Sequence, residues 1–407
     1  MVRYAVVGAG GFAATHIERI RTRGGELGCE LAAVAVRPPD RLPGQVEAFA
    51  DAGVEVFPDA EEMFDALAGR IDAVFVPTGI HTHAPLARAA LARGHHVYLE
   101  KPPAGTIQEV DAMLAASADA GRMIAVGFQM IFSESINLIK RRVVEGRLGT
   151  VRRLRTWAFW PRHDAYYARN EWAGRMKVGD AWVLDGPSHN ALGHQVANLL
   201  YLAGPRPRAF ADPVAVCAEL YHAREITGED TSSLRIRTAE GAEAVFVASH
   251  CTEGAHTGPW IEMDCDGGRV RWAAGGKTRI EYADGAAESL DADGVECREA
   301  ALANFTEAVR AGEPGRLMCD LAMGRRFTLA VNGVWESSAG SRAIDPRYTR
   351  RAGAGPEART VIEGVNEAIT RCAAEGKLFS EVGCPWARPA EPFDLTGYSS
   401  FPRRVEG

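Results

Sequence analysis

Three short stretches of this chain carry residues whose types and spacing suit chemistry. The first is Tyr4-Ala5-Val6-Val7-Gly8-Ala9-Gly10-Gly11-Phe12-Ala13, an apolar run that enters a glycine turn. Gly8 permits a tight turn, Gly10 lets backbone approach a phosphate with no side chain in the way, and the small Ala13 lets a following helix pack close on the strand. A pyrophosphate then rests on the free N–H groups and positive end of that helix, so the pattern points to a dinucleotide. The second stretch is Glu100-Lys101-Pro102, a cation placed where an apolar run ends. The third is Val183-Leu184-Asp185-Gly186-Pro187-Ser188-His189. Its Asp185 and His189 stand four apart, a spacing that puts both on one side of a turn opening a helix.

Each stretch also has a plain structural reading. Most glycine turns bind nothing, and a lone lysine is usually a surface residue. Asp185 by itself would cap a helix from Ser188 to Tyr201, with His189 a satisfied polar residue in its first turn. Context favours function at the glycine turn: Met1 to Val7 reads as a strand, and Phe12, Ile17 and Ile20 recur at helical spacing after it.

The elements that must position these residues follow from periodicity. Glu30 to Val36, Val54 to Phe57, Ile71 to Val76, His96 to Leu99 and Met123 to Val126 read as further strands. Helices are expected over Leu42 to Ala52, over Ala84 to Arg93, and from a Thr106 cap to Ala120. This alternation predicts an α/β chain whose residues 1–128 form a doubly wound parallel (Rossmann) sheet. Ligands bind at the carboxyl ends of such strands, so Gly8 to Ala13, Val36-Arg37, Pro77 to His83, Glu100 to Pro102 and Gln129 share one rim. Residues 129–340 predict an α+β domain on a large, mostly antiparallel open sheet, with strands at Val151 to Phe159, Ala211 to Tyr221, Ser232 to Arg237, Ala242 to Ser249, Trp260 to Asp266, Gly268 to Ala273 and Thr278 to Tyr282. Residues 341–407 read as an extension, with an amphipathic helix over Ala358 to Glu375. Trp386, Phe393, Tyr398 or Phe401 of its tail is expected to brace the second domain or to reach a neighbouring subunit or the cleft.

Composition narrows the function classes. A formal charge of −7 with both signs interspersed argues against a nucleic-acid partner. No apolar stretch is long enough to span a bilayer and the N-terminus reads as a strand, so a soluble, cytoplasmic protein is expected. The eight cysteines form no CxxC pair, which predicts neither a zinc site nor a disulfide framework. His81-Thr82-His83 offers alternate loop residues without a third ligand, and no metal is expected. His95-His96 reads as local packing.

Residues 1 to about 340 resemble the glucose-fructose oxidoreductase, inositol dehydrogenase and MocA family of NAD(P)-dependent enzymes. The resemblance is carried by Ala89-Ala90-Leu91-Ala92-Arg93-Gly94-His95-His96-Val97-Tyr98-Leu99-Glu100-Lys101-Pro102, by Glu145 to Val151, and by Asn304-Phe305 with the helix Asp320 to Ser337. It implies oxidoreduction between nicotinamide and a secondary alcohol or ketone of a sugar, polyol or sugar-derived metabolite, and a homo-oligomer, dimer or tetramer. Such a reaction needs a hydride acceptor, a base for the hydroxyl proton and positive charge beside the oxygen. The resemblance assigns that charge to Lys101, the acid/base role to His189 and hydroxyl binding or imidazole orientation to Asp185. It also gives His83 a cofactor-side or structural role. The family commonly continues with an aspartate three residues after the histidine, where this chain has Leu192. Asn190 and His194 stand four apart on another face, which makes His194 a second acid/base candidate, ranked below His189.

The expected cofactor site comprises Gly8, Gly10, Gly11, Phe12, Ala13, Arg37, Thr78, Gly79, His83, Glu100, Lys101 and Gln129. NAD sites usually carry Asp or Glu where this chain has Val36, and the adjacent Arg37 suits a 2′-phosphate, so selectivity leans toward NADP. Aromatic residues concentrate before Asp185, and Trp160, Tyr167, Trp172, Arg175 and Asn190 are the expected substrate contacts. Aromatic faces with forked polar groups suit a sugar ring. Two other readings stay open. One is a glycoside-cleaving lyase or hydrolase using transient oxidation, with Tyr166, Tyr167 or His194 as an extra base; the other is a non-catalytic cofactor-sensing protein.

Overall fold

Six short runs rich in valine and alanine make the first sheet. These are β1 (Val2–Val7), β2 (Cys29–Ala35), β3 (Glu55–Phe57), β4 (Ala73–Val76), β5 (His96–Leu99) and β6 (Ile124–Val126). All pair in parallel, in the order β3-β2-β1-β4-β5-β6. Their near-continuous burial is what a sheet covered on both faces demands. The helices of this part are α1 (Gly11–Leu27), α2 (Gln45–Asp51), α3 (Ala60–Ala66), α4 (Ile80–Ala92) and α5 (Ile107–Ala120). Strand order reverses between β1 and β4, the place where such a sheet opens for ligand. The computed structural model describes residues 1–38, 42–291 and 296–406.

The chain divides into two units, and the first is discontinuous in sequence. The helix Cys297–Ala311 and the residues to Arg325 belong to it, and its N-terminal part ends at Phe132 rather than at the expected 128. Aromatic packing explains the return. Phe305 stacks on Tyr4 with ring centroids 5.8 Å apart and meets Phe75 edge-on, while the Tyr4 hydroxyl lies 2.9 Å from Thr306 Oγ1.

The second unit is built on a ten-stranded sheet. Val151–Phe159 lies at its middle, antiparallel to Thr257–Cys265 and parallel to Glu243–Ser249. Thr231–Thr238 and Pro213–His222 continue one side antiparallel. Gly268–Ala273, Thr278–Tyr282 and the unanticipated Ala287–Leu290 extend the other. Two expected helices are corrected. Ser188 to Tyr201 is a wide π-helical turn, Pro187–Ala191, followed by a separate helix Gly193–Ala203. Ala358 to Glu375 is a strand, Arg359–Ile362, then a helix Val365–Glu375, separated at Gly364, whose φ of +73° suits only glycine well.

Of the two readings of the tail, the structure has the brace: its aromatic residues pack into the second unit. Trp386, Phe393, Tyr398 and Phe401 are all buried, and Phe393 pairs with Val216 at the sheet edge. The buried Glu336 carboxylate fixes this segment by accepting from the Tyr398 hydroxyl at 2.5 Å and from the Arg403 and Arg404 amides at 2.6 Å each. A buried carboxylate needs all its donors. Tyr398→Phe should therefore cost about 1.5–3 kcal/mol, the scale of a hydrogen bond to a charged group. Urea unfolding at neutral pH checks this, and a loss below about 0.5 kcal/mol would show that the two amides suffice.

Candidate active site

In the first unit the glycine turn leaves backbone exposed at the end of β1. Gly8 takes φ +91° and its N–H donates to Ala35 O at 2.7 Å, while a Cβ there would meet Ala13 Cβ at 3.6 Å. A Cβ on Gly10 would meet nothing within 4 Å, and Gly11 takes φ +53°. The first turn of α1 carries no side-chain cap and no acidic residue. These features fit a pyrophosphate, whose oxygens need backbone donors and open space. Ala13 is buried, and Phe12 stands half-exposed with its ring edge-on to His16.

The remaining rim residues are held from beneath. Thr78 and Gly79 precede α4, and the Thr78 hydroxyl lies 2.6 Å from that of Thr82. His83 is buried in α4 with Nδ1 2.8 Å from Pro102 O and Nε2 3.1 Å from Thr78 O. Burial pushes its pKa below the ordinary value, so the ring is a neutral brace joining two rim loops. Glu100 is buried as well. One oxygen lies 2.9 Å from His16 Nε2 on α1 and the other accepts the Lys101 amide at 3.1 Å. Lys101 itself is partly exposed, Arg37 is exposed after β2, and Gln129 is buried after β6. His16 was missed by sequence reasoning; its signal is a polar residue on the buried stripe Ala13, Ile17, Ile20.

In the second unit, Asp185 is only 1 % exposed. Its carboxylate accepts the Gly174 amide at 2.6 Å and the Asn190 side-chain amide at 2.7 Å. Asp185 is thus no helix cap. Leu184, just before it, takes φ +54°, a strained conformation for a bulky residue and a mark of a built site. His189 has no exposed surface. Its Nδ1 lies 3.0 Å from Val183 O and 3.2 Å from Leu184 O, and its ring stacks on Phe327. His194, at the start of the helix Gly193–Ala203, is partly exposed, unlike His189. The π-helical turn causes this, because the wider turn moves the following residues to a new face.

Glu229 is a second missed residue. It is wholly buried, its amide donates to Asp185 O at 3.2 Å, and its carboxyl accepts from the Ser188 amide at 2.9 Å and from the Ser188 hydroxyl. Burial first, and then the Asp185 charge, push its pKa up to about 7. Close packing enforces glycine here: a Cβ on Gly186 would lie 1.9 Å from Glu229 Cγ, and one on Gly228 would lie 2.3 Å from Asp185 O. Of the expected substrate residues, Trp160, Tyr167, Trp172 and Asn190 are partly exposed, and the Arg175 side chain is exposed. Among the described residues no cluster of three His, Cys, Asp or Glu could hold a metal, the eight cysteines are unbridged, and no helix is long and apolar enough to cross a membrane.

Comparison with known proteins assigns the lineage. Residues 2–128 match the model of an oxidoreductase family with an NAD-binding Rossmann fold, and residues 136–271 match the GFO/IDH/MocA C-terminal domain. The chain belongs to the GFO/IDH/MocA family. An inositol 2-dehydrogenase of Rubrobacter xylanophilus is 31% identical over 158 residues, 38% of this chain and 43% of that protein. The match thus spans less than half the length of that relative. A 4-carboxy-2-hydroxymuconate-6-semialdehyde dehydrogenase of Sphingobium is 25% identical over 66% of this chain and 78% of its own. Among solved structures, the WlbA dehydrogenase of Bordetella pertussis, in complex with NADH and UDP-GlcNAcA, superposes with a TM-score of 0.68 at 24% identity. That match covers 83% of this chain and 96% of the other and shows a shared fold.

The Glu229 carboxyl carries a pH signature. Its folded pKa of about 7 lies above the 4.5 of an ordinary glutamate, so between them the native protein holds a proton that the unfolded chain has lost. The resulting stabilisation is full below about pH 4.5, declines as pH rises and is gone above about pH 7. Its size is on the order of 3 kcal/mol. Glu229→Gln should flatten this slope when urea unfolding is followed from pH 5 to 8. An unchanged slope in the variant would assign the pH dependence to other groups.

Proposed function

We propose that this protein is an NAD(P)-dependent oxidoreductase acting on a secondary alcohol or ketone of a sugar, polyol or sugar-derived metabolite. One observation carries the reading: the open glycine turn of α1 and the partly exposed Lys101 lie on one rim of the first sheet, with Lys101 anchored on both sides by Glu100 and His83. Family membership and the named dehydrogenases among the relatives support it.

The N–H groups opening α1 hold the pyrophosphate, and Gly8, Gly10 and Gly11 keep the approach clear. When bound, the nicotinamide accepts or supplies the hydride. Lys101 places positive charge beside the carbinol oxygen as it gains negative character. Asp185 receives a substrate hydroxyl and orients Asn190. Of the catalytic set Lys101, Asp185 and His189, the histidine role passes in this proposal to His194, whose exposure lets it take the hydroxyl proton, while His189 braces the Val183-Leu184 backbone. Histidine suits proton transfer near neutral pH.

Lys101→Ala should lower turnover by roughly two to four decades with cofactor affinity nearly intact. His194→Asn should fall in the same range, whereas His189→Asn should chiefly lower the melting temperature. Steady-state kinetics with a verified substrate decides: near-normal turnover in Lys101→Ala would refute the assignment, and a larger loss at His189 than at His194 would restore the other histidine.

Arg37, exposed after β2 where a carboxylate would repel a 2′-phosphate, favours NADP(H). Arg37→Ala should remove roughly one to two decades of NADP(H) affinity, as expected for a charge-assisted contact, and leave NAD(H) almost unaffected. Fluorescence titration of both reduced cofactors measures this; equal wild-type affinities, or a preference for NAD(H), would sink the idea.

A further inference from the structure

Three parallel strands of the second unit's sheet, Val151–Phe159, Glu243–Ser249 and Pro213–His222, end on one edge, and their loops gather an arginine-rich aromatic cluster. Phe159 leads to Trp160 and Arg162, Ser249 leads to His250, and His222 leads to Arg224 and Asp230. Backbone bonds knit the loops: Trp160 N donates to Ser249 O, Arg162 N to His250 O, and His250 N to Asp230 O. At the centre stands Tyr166, with Arg169 3.6 Å and Arg162 4.4 Å from its ring centroid. The His250 ring lies 5.7 Å from Tyr166, and its Nδ1 is 2.9 Å from the Tyr167 hydroxyl.

The charge of this cluster is one-sided. Arg224 is matched by Asp230 and Asp164, and Asp164 also pairs with Arg351. Arg162 and Arg169 have no carboxylate partner among the described residues; the Arg169 side chain donates to Tyr166 O. Three buried ring or guanidine nitrogens nearby, Trp160 Nε1, Arg162 Nε and His250 Nε2, lack any hydrogen-bond partner, and His250 is 1 % exposed. With Tyr167 donating to Nδ1, the neutral His250 ring presents its N–H at Nε2. Buried donors without acceptors are rare in native proteins and call for an explanation. Burial, followed by the charges of Arg162, Arg224 and Arg169, holds the His250 imidazole well below its ordinary pKa, so the positive field is felt inside the cluster. Asp185 is a neighbour: its charge helps to push the Tyr166 hydroxyl up to about 12, after burial, and the amide of Gly174 donates to its carboxylate.

We propose that Arg162 and Arg169, flanking Tyr166, form with Trp160 and His250 a subsite for an oxyanion carried by the substrate, a carboxylate or phosphate on a sugar. Planar guanidinium forks match either group, and the aromatic faces suit the adjoining ring. The inference rests on the oxidoreductase reading above and narrows its substrate class to acidic sugars.

The test is isothermal titration of the full-length protein, saturated with NADPH or NADH, whichever it binds more tightly, with D-glucuronate, D-galacturonate, D-gluconate and D-glucose 6-phosphate. Each is paired with its neutral counterpart, D-glucose, D-galactose or D-glucitol. At least one charged compound should bind about tenfold or more tightly than its neutral partner, and Arg162→Gln with Arg169→Gln should weaken it by roughly ten- to a hundredfold while leaving the neutral sugar unchanged. The sugar acids against the sugar phosphate show which oxyanion is read. Arg169→Gln alone, at an exposed position, serves if the double variant misfolds, and should give part of the same loss. Equal binding of charged and neutral compounds, a preference that survives the substitutions, or no binding by any of the four overturns the proposal. Binding of NADPH and of NADH, followed separately by fluorescence, tells this failure from that of the oxidoreductase reading, in which neither cofactor binds.

Discussion

Burial of the Asp185 carboxylate is the constraint on which the second unit's site depends. A carboxylate out of water must be met by donors, and here the Gly174 amide and the Asn190 side chain meet it. Glu229 lies beside it, and two neighbouring buried carboxyl groups do not both ionise cheaply. Glu229 therefore stays on the protonated side to higher pH, with the Ser188 amide and hydroxyl both donating to one of its oxygens. The three segments that supply these groups approach so closely that Gly186 and Gly228 admit no Cβ, and the chain reaches Asp185 through a strained Leu184. Glycine choice, backbone strain and the wide turn after Gly186 are thus consequences of one electrostatic requirement.

The first sheet was legible because its signals are local. Valine-rich runs, helical spacing and the glycine turn each announce themselves within about ten residues, and the rim follows from the rule that ligands sit at carboxyl strand ends. Lys101, His83 and Glu100 fell on that rim as expected. The Asp185 region was legible only in part. Its motif is visible, but its partner Glu229 is distant in sequence and brought near by strand pairing, and no local pattern encodes that contact. The difference in exposure between His189 and His194 was hidden for a related reason. Periodicity assumes a uniform α-helix from Ser188, and a π-helical turn changes which residues share a face.

The compact units depart from the expected boundaries where the chain doubles back. Phe305 and Thr306 complete the packing around Tyr4, yet their own helix looks in sequence like a continuation of the second domain. The tail was ambiguous for a different reason. Its aromatic residues, spaced by prolines and polar groups, show no periodicity, so they left a brace and a reaching arm equally open; Glu336, buried and needing donors, is what ties Tyr398 and the adjoining backbone into the second unit.

Lys101 illustrates how a flexible side chain is given a fixed address. A lysine loses considerable rotamer freedom when confined, so its placement is most economical when the backbone around it is rigid. Here the residue before it is tied through Glu100 to His16 on α1, and the residue after it is tied through Pro102 to His83 on α4. Both ties are buried, which protects them from competition with water. Burial also holds the His83 pKa below its ordinary value, which favours the uncharged form of that brace. The helix that opens on the glycine turn and the helix that follows β4 therefore converge on one peptide segment. Those bonds fix the backbone that carries Lys101 from both sides, so its long stem starts from a set position.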